Sequence, residues 1–253
     1  MEVKIAIPDS GCKHCADPLK FDFTFAFQPI VDVEARQIFA HEALVRGVEG
    51  QGAGWVLSQV TENNRYRFDQ ECRIRAIQLA AELGMKSHLS INFMPNAVYQ
   101  PENCIRTTLE TARSVGFDTH KLIFEVLESE QVLDPAKLME IFSYYQDQGF
   151  GTAIDDFGSG YAGLTLLAKI QPRFIKLDMH LVRDIHKDRV KQSIVRGVLA
   201  TARELNIQII SEGVEQPEEF TWFLDQGVKL MQGYLLAKPA FKHVFSESEI
   251  SFP

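Results

Sequence analysis

Phe21, Phe23, Phe25 and Phe27 alternate with Asp22, Thr24, Ala26 and Gln28, and a period of two over that length predicts a β-strand. Short apolar runs then recur at Gln37 to Leu44, His88 to Phe93, Leu122 to Leu127, Gly151 to Ile154, Phe174 to Leu177, Gln208 to Ser211 and Lys229 to Leu236. With the opening strand they make eight. Between most of them lie longer segments with helical spacing: Phe68 to Leu83, Cys104 to Val115, Leu138 to Tyr145, Ile194 to Leu205 and Glu218 to Leu224. Several are followed by glycine, at Gly84, Gly116, Gly149 and Gly227, which suits the left-handed residue just past a helix. Eight strands alternating with helices over 253 residues match an α/β fold of the (β/α)8 barrel type better than a doubly wound open sheet. No linker divides residues 21–245, which read as one domain. Residues 1–20 read as an N-terminal extension and 246–253 as a C-terminal tail, and the Ser- and Glu-rich segment after Phe241 as frayed surface.

The residues that close these runs carry the chemistry. In order they are Gln28, Glu42, Asn92, Glu125, Asp155 with Asp156, Lys176, Glu212 and Gln232. In a barrel of this type the C-terminal strand ends converge on one face, where catalytic residues sit. Taken singly, an acid after a strand is most often a helix cap or a turn residue, and Asp155-Asp156 before Phe157-Gly158-Ser159-Gly160 could be an ordinary turn. Taken together, five carboxylates and an Asn on one rim would repel one another and raise their pKa values unless cations were bound. Hard divalent cations with oxygen ligands relieve that repulsion, so the set resembles a two-metal site for in-line displacement at phosphorus. Lys176 adds a cation that could orient a water or stabilise phosphoryl charge. Arg46, four residues after Glu42 and on the same side of an extended strand, is placed to hold a phosphate.

Composition narrows the ligand. With 34 acidic and 26 basic residues the formal charge is −8, which argues against long nucleic acid but leaves room for a small anion met by local cations. The 45% hydrophobic content excludes a disordered chain. No apolar stretch approaches the roughly 18 residues of a membrane helix, and the first residues lack the apolar core of a signal peptide, so a cytoplasmic location is expected. Four cysteines make no disulfide framework. The Cys12-Lys13-His14-Cys15 spacing is a weak zinc or redox signal, since a structural zinc needs a second pair of ligands nearby. The Phe21 to Phe27 stripe reads as packing beneath helices, and His88, on the face of Ser90 and Asn92, as a hydrogen-bonded core histidine.

Glu42-Ala43-Leu44-Val45-Arg46 resembles the signature of the EAL-domain family of cyclic di-GMP phosphodiesterases. The resemblance extends over residues 25–240 through Gln28-Pro29-Ile30, Ser90-Ile91-Asn92, Phe124-Glu125-Val126-Leu127-Glu128, Asp155-Asp156-Phe157-Gly158-Ser159-Gly160-Tyr161, Ile175-Lys176-Leu177-Asp178, Ser211-Glu212-Gly213-Val214-Glu215 and Gln232-Gly233-Tyr234. It implies a modified TIM-type barrel with one strand antiparallel to the others, which cleaves cyclic di-GMP to linear pGpG using two divalent cations, Mg2+ or Mn2+. Carried over by motif, Glu42, Asn92, Glu125, Asp155, Asp156 and Glu212 become the metal ligands, and Lys176 positions or activates the water. Gln28, Leu44, Arg46 and Gln232 would contact the substrate, with Glu128 and Glu215 as loop and ligand supports. The family also implies a homodimer, and with no sensory domain alongside, regulation would act through the N-terminal segment, the dimer or a protein partner.

Two departures stand out. The Gly-rich Gly47-Val48-Glu49-Gly50-Gln51-Gly52-Ala53-Gly54 replaces an aromatic residue and a Pro-containing loop after Arg46, and Ala162-Gly163-Leu164 stands where Ser-Ser-Leu is commoner. Two rival readings follow: a receptor or protein-interaction module of the same fold that has lost catalysis, and an enolase-like Mg2+-dependent lyase or isomerase. The complete ligand set speaks against the first, and adjacent Asp residues with an Arg clamp speak against the second.

Overall fold

The computed structural model describes residues 18–98, 101–128, 135–160 and 163–253. Cys12, His14, Cys15, Tyr161 and Ala162 therefore lie outside the described residues, as does most of the proposed N-terminal extension.

Among the described residues the strands are β1 (Phe23–Asp32), β2 (Gln37–Gly47), β3 (His88–Asn92), β4 (Leu122–Leu127), β5 (Gly151–Phe157), β6 (Phe174–Leu177), β7 (Gln208–Ser211), β8 (Leu230–Met231) and β9 (Ala240–Phe241). The helices are α1 (Ala53–Leu57), α2 (Arg65–Glu82), α3 (Pro101–Ser114), α4 (Pro135–Asp147), α5 (Gly163–Lys169), α6 (Met179–Val182), α7 (Arg189–Glu204) and α8 (Pro217–Asp225). Strands β2 to β8 follow one another in parallel. β1 closes the barrel by pairing antiparallel with both β2 and β8, and β9 adds an outer antiparallel pairing to β1. The expected barrel with one reversed strand is the observed fold.

The period-two geometry of strands explains the barrel interior. Two residues below the rim, every barrel strand except β3, which has Ser90 there, contributes an apolar side chain to a closed cluster: Ile30, Ala40, Ile123, Ala153, Phe174, Ile210 and Leu230. These sit beneath Gln28, Glu42, Glu125, Asp155, Lys176, Glu212 and Gln232. In β1 the apolar residue comes after the polar one and elsewhere before it, as the reversed direction of that strand requires. The polar rim thus rests on a packed plug from which water is excluded.

Outside the barrel a second, larger cluster fills the space under the helices. Phe23, Phe25 and Phe27 are buried there, and the Phe23 ring lies 5.2 Å from that of Phe68 on α2. The aromatic stripe is packing beneath helices, as expected. The other face of β1 is buried as well, at Thr24, Ala26 and Gln28, because its opposite side lines the barrel. His88 is half-buried, stacks on Phe39 at 4.6 Å between ring centroids and bonds through Nδ1 to the Phe39 carbonyl at 3.0 Å. Burial pushes its pKa down.

Gly84, Gly116, Gly149 and Gly227 all take positive φ, which fits their place after helices. The short helices α1, α5 and α6 carry too few turns to show a period, and the sequence reading does not contain them. Several strand bounds differ from expectation: β1 continues to Asp32, β2 continues to Gly47 and β3 stops at Asn92. β5 runs on through Asp155 and Asp156 to Phe157, and β8 shrinks to two residues because the chain turns away at Gly233. No described helix is long and apolar enough to cross a membrane.

The segment after Phe241 is not frayed. Ile250 is buried, and Val244, Phe245 and Phe252 pack against the main core. The Ser251 amide donates to the Leu236 carbonyl at 3.0 Å, the Phe245 amide to His41 Nε2 at 3.1 Å, and the Arg36 guanidinium lies 4.2 Å from the centre of the Phe252 ring. Polar composition is a poor guide here because a few spaced apolar side chains suffice to dock so short a segment.

Candidate metal centre

Lys176 organises the rim. Its side chain is fully buried, and Nζ lies 2.8 Å from Glu212 Oε1, 2.9 Å from Glu125 Oε2, 3.0 Å from Asp155 Oδ1 and 3.3 Å from Glu42 Oε2. Burial alone would lower the ammonium pKa, but the carboxylates of Asp155, Glu125, Glu212 and Glu42 outweigh it and hold that pKa well above the usual range. One cation cannot neutralise the whole group of acids. Burial, reinforced by Glu42 and Asp155 against the pull of Lys176, pushes Glu125 up to about 8. Burial also raises Glu212 strongly, and burial with the charges of Asp155 and Asp178 raises Asp156 to about 6.

Two groups of oxygens could each take an ion. Glu42, Glu125 and Asp155 form one, and Asp155, Asp156 and Glu212 the other, each with ligand atoms within 4.8 Å of one another. Asp155 belongs to both. An all-oxygen, acid-rich donor set with one shared carboxylate fits a pair of hard dications and does not fit a soft metal. Asn92 joins the first group by donating Nδ2 to Glu42 Oε1 at 3.2 Å, which leaves its side-chain oxygen for an ion. Asp156 takes φ of 53° at an irregularity within β5, between the Ile154 and Phe157 pairings with β6, and this left-handed residue lets two adjacent acids serve one site.

Gln28 and Gln232 meet above the seam of the reversed strand. Gln232 Nε2 donates to Gln28 Oε1 at 3.2 Å and to Glu42 Oε2 at 2.9 Å, while Gln28 Nε2 donates to the Ala237 carbonyl at 3.1 Å. Gln232 Oε1 is buried without a partner, an acceptor that a ligand N–H would satisfy. Gly233 lets the chain pass here, since a Cβ on it would lie 2.0 Å from the Val214 carbonyl oxygen. Leu44 and Arg46 are half-buried on the last part of β2. Arg46 Nη1 folds back on the Val45 carbonyl at 2.7 Å, four residues past Glu42 along β2. The divergent Gly-rich loop after it closes with a Gly47 amide bond to the Gln51 carbonyl at 2.9 Å and leads into α1, where Trp55 is exposed.

Of the two expected supports, Glu128 has a clear structural partner set. It is buried, and its carboxylate accepts the amides of Gly158 at 2.5 Å, Gly163 at 2.7 Å and Gly160 at 3.4 Å, gathering the loop that follows Asp155 and Asp156. Glu215 pairs at the surface with Arg183 and does not reach the ligands. The buried acid of that loop is Glu219 on α8, which accepts the amides of Asp184, Glu215 and Gln216 at 2.8, 2.9 and 3.1 Å. Its signal is present in the sequence, as a Gln-Pro-Glu-Glu helix start in which Gln216 and Glu219 make a capping box. Ser90 is a further support that the motif reading does not single out, although it shares a strand face with Asn92. It donates a short hydrogen bond to Glu125 Oε1.

The family model for the EAL domain matches residues 19–239. Among curated proteins, the blue light- and temperature-regulated antirepressor BluF of Escherichia coli K12 is 32% identical over 232 residues, 91% of this chain and 57% of BluF. Others carry cyclic di-GMP phosphodiesterase in their names, and the chain spans only 25% of one of these, PdeR, and 38% of another, PA2567. Among solved structures, a standalone versatile EAL protein from Vibrio cholerae O395 in its c-di-GMP bound form is 54% identical, covers 90% of this chain and 97% of its own, and superposes with a TM-score of 0.88. Klebsiella pneumoniae BlrP1 in a manganese and cyclic di-GMP complex is 33% identical over 91% of this chain and 58% of its own, with a TM-score of 0.82. The enolase-like alternative is set aside by these matches. The chain belongs to the EAL-domain family, whose phosphodiesterase members act on cyclic di-GMP.

Proposed function

We propose that this chain hydrolyses one phosphodiester of cyclic di-GMP to linear pGpG with the help of two divalent cations, Mg2+ or Mn2+. The observation that carries the reading is the pair of carboxylate groups joined through Asp155 with Lys176 buried among them. Glu42, Asn92, Glu125, Asp155, Asp156 and Glu212 would hold the ions. Bound there, two dications supply an acidified water and stabilise charge on the attacking and leaving oxygens.

The remaining steps belong to the protein. Lys176, fixed by four carboxylates, holds a positive charge where the water must be oriented and where phosphoryl charge grows. Arg46 turns from the Val45 carbonyl toward a phosphate, which its planar fork can grip. Gln28 and Gln232 offer amide groups to a guanine edge, and the unpartnered Gln232 Oε1 takes a base N–H. Leu44 packs against the ligand's apolar surface. The EAL domain is taken as residues 21–245 in a cytoplasmic protein, acting as a homodimer under the control of a protein partner. Leu164, Met179, Val190 and Ile194, left exposed on α5, α6 and α7, support self-association, which sedimentation would test.

The name of BluF, an antirepressor, favours a second reading in which the domain binds nucleotide or protein without turnover. One assay separates the two: purified protein is incubated with cyclic di-GMP and Mn2+ or Mg2+, and pGpG is followed by chromatography. Turnover that disappears in Glu42→Ala supports the hydrolase. Tight binding without pGpG selects the receptor, and near-normal turnover in Glu42→Ala overturns the ligand assignment.

A further inference from the structure

An oppositely charged pair is buried together on α2, outside the carboxylate centre. Asp69 and Arg73, one turn apart on α2, form an ion pair at 2.8 Å between Asp69 Oδ2 and Arg73 Nη2, with both side chains 1% exposed. Such a pair is a weak source of stability, because desolvation cancels most of its attraction. Its geometry shows what else it touches. Asp69 Oδ1 accepts the Met94 amide at 2.8 Å, two residues beyond Asn92. Arg73 Nη1 donates to the Tyr145 hydroxyl on α4 at 3.3 Å, and the Tyr145 ring lies 5.7 Å from that of Phe93. The Phe93 amide in turn donates to the Glu125 carbonyl at 2.9 Å. Every link of the turn after Asn92 is thereby tied to a buried group: Phe93 to β4 and α4, Met94 to α2.

We propose that Asp69 is a positioning residue for Asn92, fixing through the Met94 amide the point at which β3 ends and so the direction of the Asn92 side chain. Arg73 and Tyr145 hold the Asp69 carboxylate in place. The sequence hides this role, because Asp69 lies in a helical segment remote from every motif. The inference rests on the ligand reading of Asn92 given above.

The test is a cycle of Mn2+ binding, measured by calorimetry on the full chain without substrate, with Asn92→Ala, Asp69→Ala and the double variant. Removing partners that orient a metal ligand costs on the order of tenfold or more in metal affinity, so Asp69→Ala is expected to bind Mn2+ about tenfold more weakly. In the Asn92→Ala background it should add nothing, since residues acting through one another are not additive. Asp69→Asn, which keeps an acceptor for the amide, should recover most of the affinity although it breaks the ion pair. If Asp69→Ala does not fold, Asp69→Leu with Arg73→Met, an apolar replacement of the pair, takes its place in the cycle. An equal loss in both backgrounds, or no loss in either, overturns the proposal. Unchanged Mn2+ binding in Asn92→Ala alone overturns the ligand reading instead, and is visible before Asp69 is touched.

Discussion

Lys176 Nζ lies 2.8 Å from Glu212 Oε1, so the cation of β6 is held by the acid that follows β7 as well as by those of β2, β4 and β5. Removing one partner of a buried ionic group costs about 3–5 kcal/mol, because the charges left behind are unsatisfied. Lys176→Met, which fills nearly the same volume, is therefore expected to lower the melting temperature sharply in the presence of a chelator. Added Mn2+ should close most of that gap by supplying the missing positive charge. Equal melting of wild type and variant in the chelator would show that the four contacts carry no weight.

Glu128 offers a second lever. Three amides converge on its carboxylate, and the loop they belong to begins at two proposed ligands. Glu128→Ala is expected to raise the Mn2+ concentration needed for half-maximal hydrolysis by about 10- to 100-fold while leaving cyclic di-GMP binding without metal nearly unchanged. Glu128→Gln, with one acceptor oxygen left, should fall between the two. A Glu128→Ala protein with the wild-type Mn2+ dependence would separate this loop from the ligands.

Close backbone approach predicts a contrast between two glycines. At Gly233 an added Cβ meets the Val214 carbonyl oxygen at 2.0 Å and its amide nitrogen at 2.3 Å, atoms that cannot give way without moving the strand ends. At Gly197, within α7, an added Cβ meets nothing within 4 Å. Gly233→Ala should therefore destabilise by about 3 kcal/mol or more, beyond the usual overpacking range. Gly197→Ala should stabilise by roughly 0.5–1 kcal/mol through helix propensity. Urea midpoints measure both, and a mild Gly233→Ala would contradict the close approach of the Gly233 and Val214 backbones at the rim.

The rim is legible in the sequence because chemistry and period coincide there: Glu42, Glu125, Asp155 and Lys176 each follow an apolar residue two positions earlier, and a barrel turns that into an acid ring over an apolar plug. Direction is not legible from the pattern. Gln28 sits in the middle of β1, not at its end, and only the antiparallel register that pairs it with Glu42 brings it to the rim. Asp69 escapes because a helix places side chains by long-range packing that no local motif records, whereas Glu219 leaves a local trace only as the capping box at the start of α8. Arg46 stands out in the sequence for its phosphate-gripping fork, while its observed bond to the Val45 carbonyl is a side-chain rotamer that no sequence pattern records.

The C-terminal segment yields the last prediction. Ser246 and Glu249 cap a short turn, with the Ser246 amide and hydroxyl both 2.8 Å from Glu249 Oε2 and His243 Nε2 2.8 Å from Oε1. The Ser246 amide first, then its hydroxyl and His243, hold the Glu249 carboxyl down at about 2. A carboxylate whose pKa is lower in the docked state contributes in full above its ordinary value of about 4.5. That contribution is lost as pH falls through about 2. Hydrogen exchange at the amides of 246–250 should therefore be slower in wild type than in Glu249→Ala from pH 7 down to about 4.5, with the difference shrinking below that. His41→Phe, which deletes the acceptor of the Phe245 amide, should speed exchange at the same amides across the whole range, because His41 holds the tail by a bond that does not involve Glu249. A tail that exchanges at the unprotected rate in wild type would restore the frayed segment that its composition suggests.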